Sequence, residues 1–394
     1  MNRTIQKSKR IESIDVFRAL TVFLMTFVND LWSVSGVPHW LGHAAFDEDF
    51  LGLSDLVFPS FLFILGMSIP LAIGGRIKKG HSNRAIIQHI LGRSFALLVM
   101  GVFSVNSGGS LSPEVGLSGP IYSLLMLLGF FLIWNQYPQY QASKQTLYRV
   151  LKVLGVGLLL YLAFIYRDSS GQMMQPKWWG ILGLIGWTYL VCALLYLFFY
   201  RKHRYLFGAA LFFTLLCVLG TAGYLGVFDQ LILSNGCFHA FTLFGVLLTL
   251  LLNDKIYASI PLNRKLQIIG GVVFVFIGAG WISNQWWIIS KLQETPPWLF
   301  YSTGISLLVY LLVYWGVDMQ GKGHWFGFIK PAGTATLTCY LVPSLFYALF
   351  QLTGFSIKGA LAVAPLGLLK CALFSLLCIL ATYLLGKLGI KLKI

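Results

Sequence analysis

The chain has 394 residues, 57% of them hydrophobic, 15% aromatic and only 11% charged, and its mean hydropathy is +0.76. That is well above the roughly 45–50% apolar usage of soluble domains, so composition excludes a soluble globular domain and points to an integral membrane protein. The 29 Lys and Arg against 13 Asp and Glu would suggest a nucleic-acid partner in a soluble chain. Here the cations fall in short clusters between apolar runs, which is a signal of membrane topology and not of nucleic acid.

Taken in chain order, twelve apolar runs are long enough to span about 30 Å of hydrocarbon, which needs about 20 residues each. They are 14 to 34, 53 to 74, 85 to 105, 117 to 135, 147 to 166, 178 to 200, 205 to 226, 237 to 253, 266 to 284, 298 to 317, 331 to 351 and 360 to 386. The first follows a basic start but has no small-residue cleavage site, so it reads as a retained span. Pro365 offers a kink in the last. No polar stretch is long enough for a soluble domain, which leaves one all-α polytopic membrane domain over residues 1 to 394.

Charge orients the bundle. With the N-terminus cytoplasmic, 22 of the 29 basic residues fall in cytoplasmic segments, beginning with Arg3, Lys7, Lys9 and Arg10. Arg167, Lys177, Lys291 and Lys358 fall outside, and Arg18, Arg93 and Lys370 lie within spans. This asymmetry predicts both termini in the cytoplasm. Trp32, Trp40, Trp178, Trp179, Trp286, Trp287 and Trp298 lie near outer ends, where amphipathic rings favour the interface. The six cysteines lie in or beside apolar runs without metal-type spacing and read as small core residues.

Polar groups inside spans are costly and so are functional candidates. The loop 35 to 52 carries His39, His43, Asp47, Glu48 and Asp49, and Asp55 follows at the start of the second span. Asn29 and Asp30 end the first span and face the same outer zone. A histidine with carboxylates and an amide is the equipment of general base catalysis: the imidazole takes a proton, a carboxylate sets its tautomer, and the amide donates to an oxyanion. A loop histidine is equally a solvated surface group, and His39 is the nearest example. Near the inner end, Ser13 and Asp15 suit a helix N-terminus, and Asp15 is within pairing distance of Arg18. Arg18 could instead present its guanidinium to a phosphate from the cytoplasm. His239 could line the outer cavity or be satisfied locally, and Lys370 could snorkel. No P-loop, nucleophile elbow, zinc-protease motif or Rossmann fingerprint is present, so hydrolase, ATPase and metalloprotease readings have no motif support.

The run "SIDVFRALTVFLMTFVND", then "HAAF", then "LSDLVFPSFLFILGMSI" resembles the membrane acetyltransferase family typified by heparan-α-glucosaminide N-acetyltransferase. The resemblance is strongest over residues 10 to 110 and continues through 177 to 190, 296 to 318 and 330 to 342. It implies a ten-helix core with residues 117 to 166 as an inserted helix pair, without the family's luminal domain and additional anchoring span. It implies acyl transfer from acetyl-CoA, as co-substrate and with no metal, to the amine of an amino sugar or glycan. His43 matches the proposed catalytic histidine, as general base or transient acetyl carrier. Asn29 matches the active-site asparagine that would support the thioester carbonyl, and Asp55 or Asp30 would orient His43. Asp55, Arg18, Arg93 and Asn106 match motif positions, and the expected role of Arg18, Arg93 and Asn106 is to hold the cofactor. A homodimer in a bacterial cytoplasmic (inner) membrane is the implied setting. Ala19, Phe46, Glu48 and Ala335 depart from the pattern and bear on the acceptor more than the donor. The rival reading is an amino-sugar or glycan transporter, which the twelve-span plan allows but the lack of an internal repeat does not favour.

Overall fold

The computed structural model describes residues 11–138, 142–226, 235–253 and 255–394. Arg3, Lys7, Lys9 and Arg10, which open the expected cytoplasmic charge, lie outside these residues. Among the described residues, helices lie over every one of the twelve apolar runs: α1 Glu12–Asp30, α2 Leu53–Lys78, α3 Asn83–Ser107, α4 Gly119–Trp134, α5 Gln145–Ile165, α6 Ile181–Phe198, α7 His203–Thr221, α8 Cys237–Asn253, α9 Leu262–Ser283 and α10 Pro296–Tyr314, followed by the short α11 Lys330–Thr334, α12 Thr336–Thr353 and α13 Leu366–Lys387. Nine of these described helices, namely α2, α3, α5, α6, α7, α9, α12, α13 and α10 with its extension to Met319, are long and apolar enough to cross a membrane. The apolar α4 and α8 are shorter, and α1 carries Glu12, Asp15, Arg18 and Asp30 in its 19 residues.

Two of the expected runs are built differently from a plain span. The run at 331 to 351 breaks at Ala335 (φ −129°, ψ 45°). Beside the break the chain packs closely on α1: a Cβ on Gly333 would lie 2.4 Å from the Asp15 carbonyl oxygen, and the Gly333 carbonyl accepts from Arg18 Nη1 at 3.2 Å. The last run does not kink at Pro365. Gly359–Ala362 forms a separate 3-10 turn and α13 starts immediately after the proline, which suits a residue that lacks an N–H to donate.

Helix α2 is the centre of the bundle, packing on α8, α1, α10 and α6. Small residues let it approach α8 backbone to backbone: a Cβ on Gly66 would lie 1.8 Å from the Thr242 carbonyl oxygen, and one on Gly245 2.0 Å from that of Phe63. Thr242 and Thr249 donate their hydroxyls across the seam to the carbonyls of Leu62 and Met67. Close packing and interhelical hydrogen bonds of this kind drive association where lipid is as apolar as the side chains. Around this axis α3 pairs with α6, α9 with α10, and α7 with α8. The α4–α5 pair meets at Gly129 and Gly155, with α4 also against α12. The C-terminal tail caps α4, with Lys391 N–H on Asn135 Oδ1 (2.8 Å) and Lys393 N–H on the Trp134 carbonyl (2.9 Å).

This arrangement gives the bundle two chemically distinct ends. The loop 35–52 leads directly into α2 at one end. Arg76, at the other end of this 26-residue helix, is about 35 Å away at 1.5 Å per residue. There it joins Lys393 and Arg93 within electrostatic reach of His89.

Candidate functional site: a histidine held by a buried carboxylate

The loop before α2 is folded back on the helix it precedes. Its two limbs touch at Gly42 and Gly52, where a Cβ on Gly52 would lie 2.0 Å from the Gly42 carbonyl oxygen. Ser54 Oγ donates to the Leu41 carbonyl at 2.6 Å. Between these ties Asp55, whose side chain is 3% exposed, takes two donors: Ala44 N–H on Oδ2 at 3.0 Å and His43 Nδ1 on Oδ1 at 2.6 Å. The carboxylate therefore holds the proton on Nδ1 and leaves Nε2 with its lone pair, the tautomer a general base or nucleophile needs. The His43 ring is half exposed, so Nε2 can be reached.

The backbone beneath Asp55 is held just as firmly. Pro59 has no N–H for the Asp55 carbonyl four residues earlier. The indole of Trp298 donates to that carbonyl instead, at 3.0 Å. Trp298 is fully buried, so it corrects the expectation that it sits in an interfacial belt. A buried indole N–H needs an acceptor, and the proline supplies one. Trp32, Trp40, Trp179 and Trp286 are exposed as expected.

Lys291 completes the cluster from the loop between α9 and α10. Its Nζ lies 3.5 Å from His43 Nδ1 and 3.9 Å from Asp55 Oδ1. Burial pushes this ammonium below the usual lysine range, against the opposing pull of Asp55. The loop is docked by Asp49, whose carboxylate accepts from Ile289 N–H (2.7 Å) and Asn284 Nδ2 (3.1 Å), and by the Phe46 carbonyl, which accepts from Gln293 Nε2 (2.8 Å). In the sequence Lys291 counts only as an external charge. The signal available there is that it is one of just four basic residues outside. His39 is engaged as well, with Nε2 2.7 Å from Glu48 Oε1 and its ring on Phe50.

The other expected site residues are dispersed. Asp30 does not orient His43. It is buried against Lys370 (3.2 Å) and accepts from Tyr347 Oη at 2.9 Å, so Lys370 has an ion-pair partner within the bundle. Asn29 is exposed at the end of α1 and lines a cavity of about 130 Å³ with Ser104, Tyr340, Ser344 and Tyr347. Arg18 binds Asp15, Ser68 Oγ and the Gly333 carbonyl, joining α1 to α2 and α11. Arg93 lies over the Tyr189 ring at 4.5 Å, and its buried Nε has no hydrogen-bond partner among the described residues. Asn106 differs from the cofactor expectation. Its Nδ2 donates to Val102 and Gln175 carbonyls and its Oδ1 accepts Gln175 N–H, so the amide clamps the loop before α6. It also lies 13 residues from Arg93, about 20 Å along the same helix. His239 is buried and stacked on Phe213 at 4.7 Å. Among the described residues no three His, Cys, Asp or Glu side chains cluster as metal ligands.

A helical, multi-pass membrane protein with a carboxylate-bound histidine at one end is the class these features define. The chain belongs to the family described as a domain of unknown function (DUF5009), which matches residues 10–223. It is also similar to heparan-alpha-glucosaminide N-acetyltransferase of Mus musculus, 33% identical over 142 residues that cover 33% of this chain and 21% of that protein. The Homo sapiens protein of that name is 37% identical over 105 residues, 26% of this chain and 15% of its own length. The matches thus span about a fifth or less of these relatives.

Proposed function

We propose that the protein is a membrane N-acetyltransferase that moves an acetyl group from cytoplasmic acetyl-CoA to the amine of an amino sugar or glycan on the outer side. The observation that carries this reading is the 2.6 Å bond between His43 Nδ1 and the buried Asp55. It directs a basic Nε2 outward at the end of the bundle opposite the Arg76, Arg93 and Lys393 cations. The two named relatives are N-acetyltransferases, which supports the reaction class.

In this reading Arg93, with its unpartnered Nε, and the neighbouring cations hold the CoA phosphates. His43 then acts in one of two ways. As a general base, Nε2 takes the proton lost by the sugar amine as its nitrogen bonds to the acetyl carbon and the C–S bond breaks, releasing the CoA thiolate. As a carrier, Nε2 itself bonds to the acetyl carbon while the C–S bond breaks and the CoA thiolate leaves; the sugar amine then bonds to that carbon, the acetyl–Nε2 bond breaks, and the freed imidazole takes the amine proton. Asn29 Nδ2 is the donor assigned to the thioester oxygen as it gains charge. Both termini are cytoplasmic, and the protein is a homodimer of a bacterial inner membrane.

Purified protein in detergent, given acetyl-CoA and glucosamine, tests the proposal by CoA release. Release that requires glucosamine and disappears in His43→Ala is expected. If the wild type is not thermally stabilised by CoA, a ligand effect that scales as RT ln(1 + [L]/Kd), acyl transfer is rejected in favour of sugar transport.

A further inference from the structure

A cavity of about 990 Å³ lies apart from His43 and from the Asn29 chamber's other lining residues, sharing only Tyr347 with the latter. It is a groove between the end of α12 and the start of α13, walled by Tyr347, Phe350 and Phe355 on one side and Leu369, Leu373 and Leu377 on the other. Both helices are long and apolar enough to cross a membrane. The three leucines repeat every four residues along α13 and are 43–56% exposed, so the groove opens sideways, towards lipid.

Its polarity is ordered along its length. Asp30, Ser33 and Lys370 wall one end, where Lys370 Nζ pairs with Asp30 and hydrogen-bonds Ser33 Oγ. Lys370 lies about 6 Å into α13, and Leu377, the deepest leucine, about 17 Å, which is roughly half of a 30 Å hydrocarbon core. The groove is therefore one leaflet deep, on the side of the His43 loop, with charge at headgroup level and hydrocarbon below. Asp30 and Ser33 hold the Lys370 ammonium at the cavity wall, and Gln351 and Trp32 add further polar atoms to the same lining.

We propose that this groove is a specific site for a glycerophospholipid of that leaflet, with one acyl chain along Leu369, Leu373 and Leu377 and its glycerol or phosphate oxygens at Lys370. A free sugar or nucleotide would meet mostly hydrocarbon here. A second copy of the chain would leave the charged end facing apolar helix surface. Tyr347 is shared with the Asn29 cavity, so lipid bound here touches a wall of that cavity.

The test uses the full chain in vesicles containing phosphatidylglycerol with a photoactivatable diazirine in one acyl chain, followed by peptide mapping after irradiation. Labelling concentrated on α12 and α13 is expected, several-fold above α5, whose Leu160 and Phe164 are more exposed than the groove leucines. Leu373→Trp fills the groove from a half-exposed position, and Leu369→Phe is the second variant should the first fold poorly. Either should remove the excess labelling while α5 labels as before. Equal labelling of α5 and α13, meaning annular lipid only, overturns the proposal. So does unchanged labelling in a folded groove variant, or protection of the groove by cross-linked dimers.

Discussion

Replacing Asp55 by asparagine should disable His43 without unfolding the protein, because the two oxygens of the carboxylate serve different donors. Oδ2 satisfies the buried Ala44 N–H and Oδ1 receives the Nδ1 proton of His43. An amide has one acceptor and one donor end, so the substituted side chain can serve only one of them as an acceptor. Leaving the Ala44 N–H unsatisfied costs about 1–3 kcal/mol, whereas the half-exposed imidazole can exchange its proton with water. The oxygen should therefore face Ala44 and the NH2 should face Nδ1, which drives the His43 proton to Nε2 and removes the basic lone pair from the outward nitrogen. General base catalysis contributes about 10²–10⁴-fold, equal to about 2.7–5.4 kcal/mol at 1.36 kcal/mol per tenfold. The assay is glucosamine-dependent CoA release, with thermal stabilisation by CoA as the control for folding. A fall in kcat of this size with CoA binding retained is expected. Turnover within about threefold of wild type, under 1 kcal/mol, would refute the tautomer argument.

Trp298→Phe keeps an aromatic ring but removes the donor to the Asp55 carbonyl, and since Pro59 cannot replace it, an orphaned buried acceptor should cost about 1–3 kcal/mol. A lowered Tm and a reduced kcat together check this, and an unchanged Tm would mean that another donor satisfies the carbonyl. Burial lowers the Lys291 pKa, so between its folded value and the usual lysine value the unfolded chain binds the extra proton and stability rises with pH. Wild type should accordingly gain Tm relative to Lys291→Met as pH rises through that window and run parallel to it at lower pH. Parallel curves throughout would count against the buried ammonium. The six cysteines are all buried, which leaves a quiet background for topology mapping. A cysteine at exposed Trp40 should react with an impermeant maleimide on intact cells, and one at exposed Leu388 only after permeabilisation. The reverse pattern would invert the proposed orientation.

Length and hydropathy were enough to locate the helices. Among the described residues a helix lies over each of the twelve apolar runs, and nine of these helices are long and apolar enough to cross a membrane, where a backbone must satisfy its own hydrogen bonds and a helix does so within the run. His43 and Asp55 were also legible, since they lie 12 residues apart across a loop that must return to the helix it precedes. Partners far away in sequence were not legible. Lys291 reaches His43 across 248 residues and Trp298 reaches Asp55 across 243. The Asp30–Lys370 pair, the Asn106 clamp and the break at Ala335 are likewise set by which helices lie side by side. Local pattern dictates where a chain is helical and which groups are costly to bury. Only the packing of α1, α2, α10, α12 and α13 decides which of those groups meet, because a polar side chain in a membrane pairs with the nearest complement the tertiary structure offers.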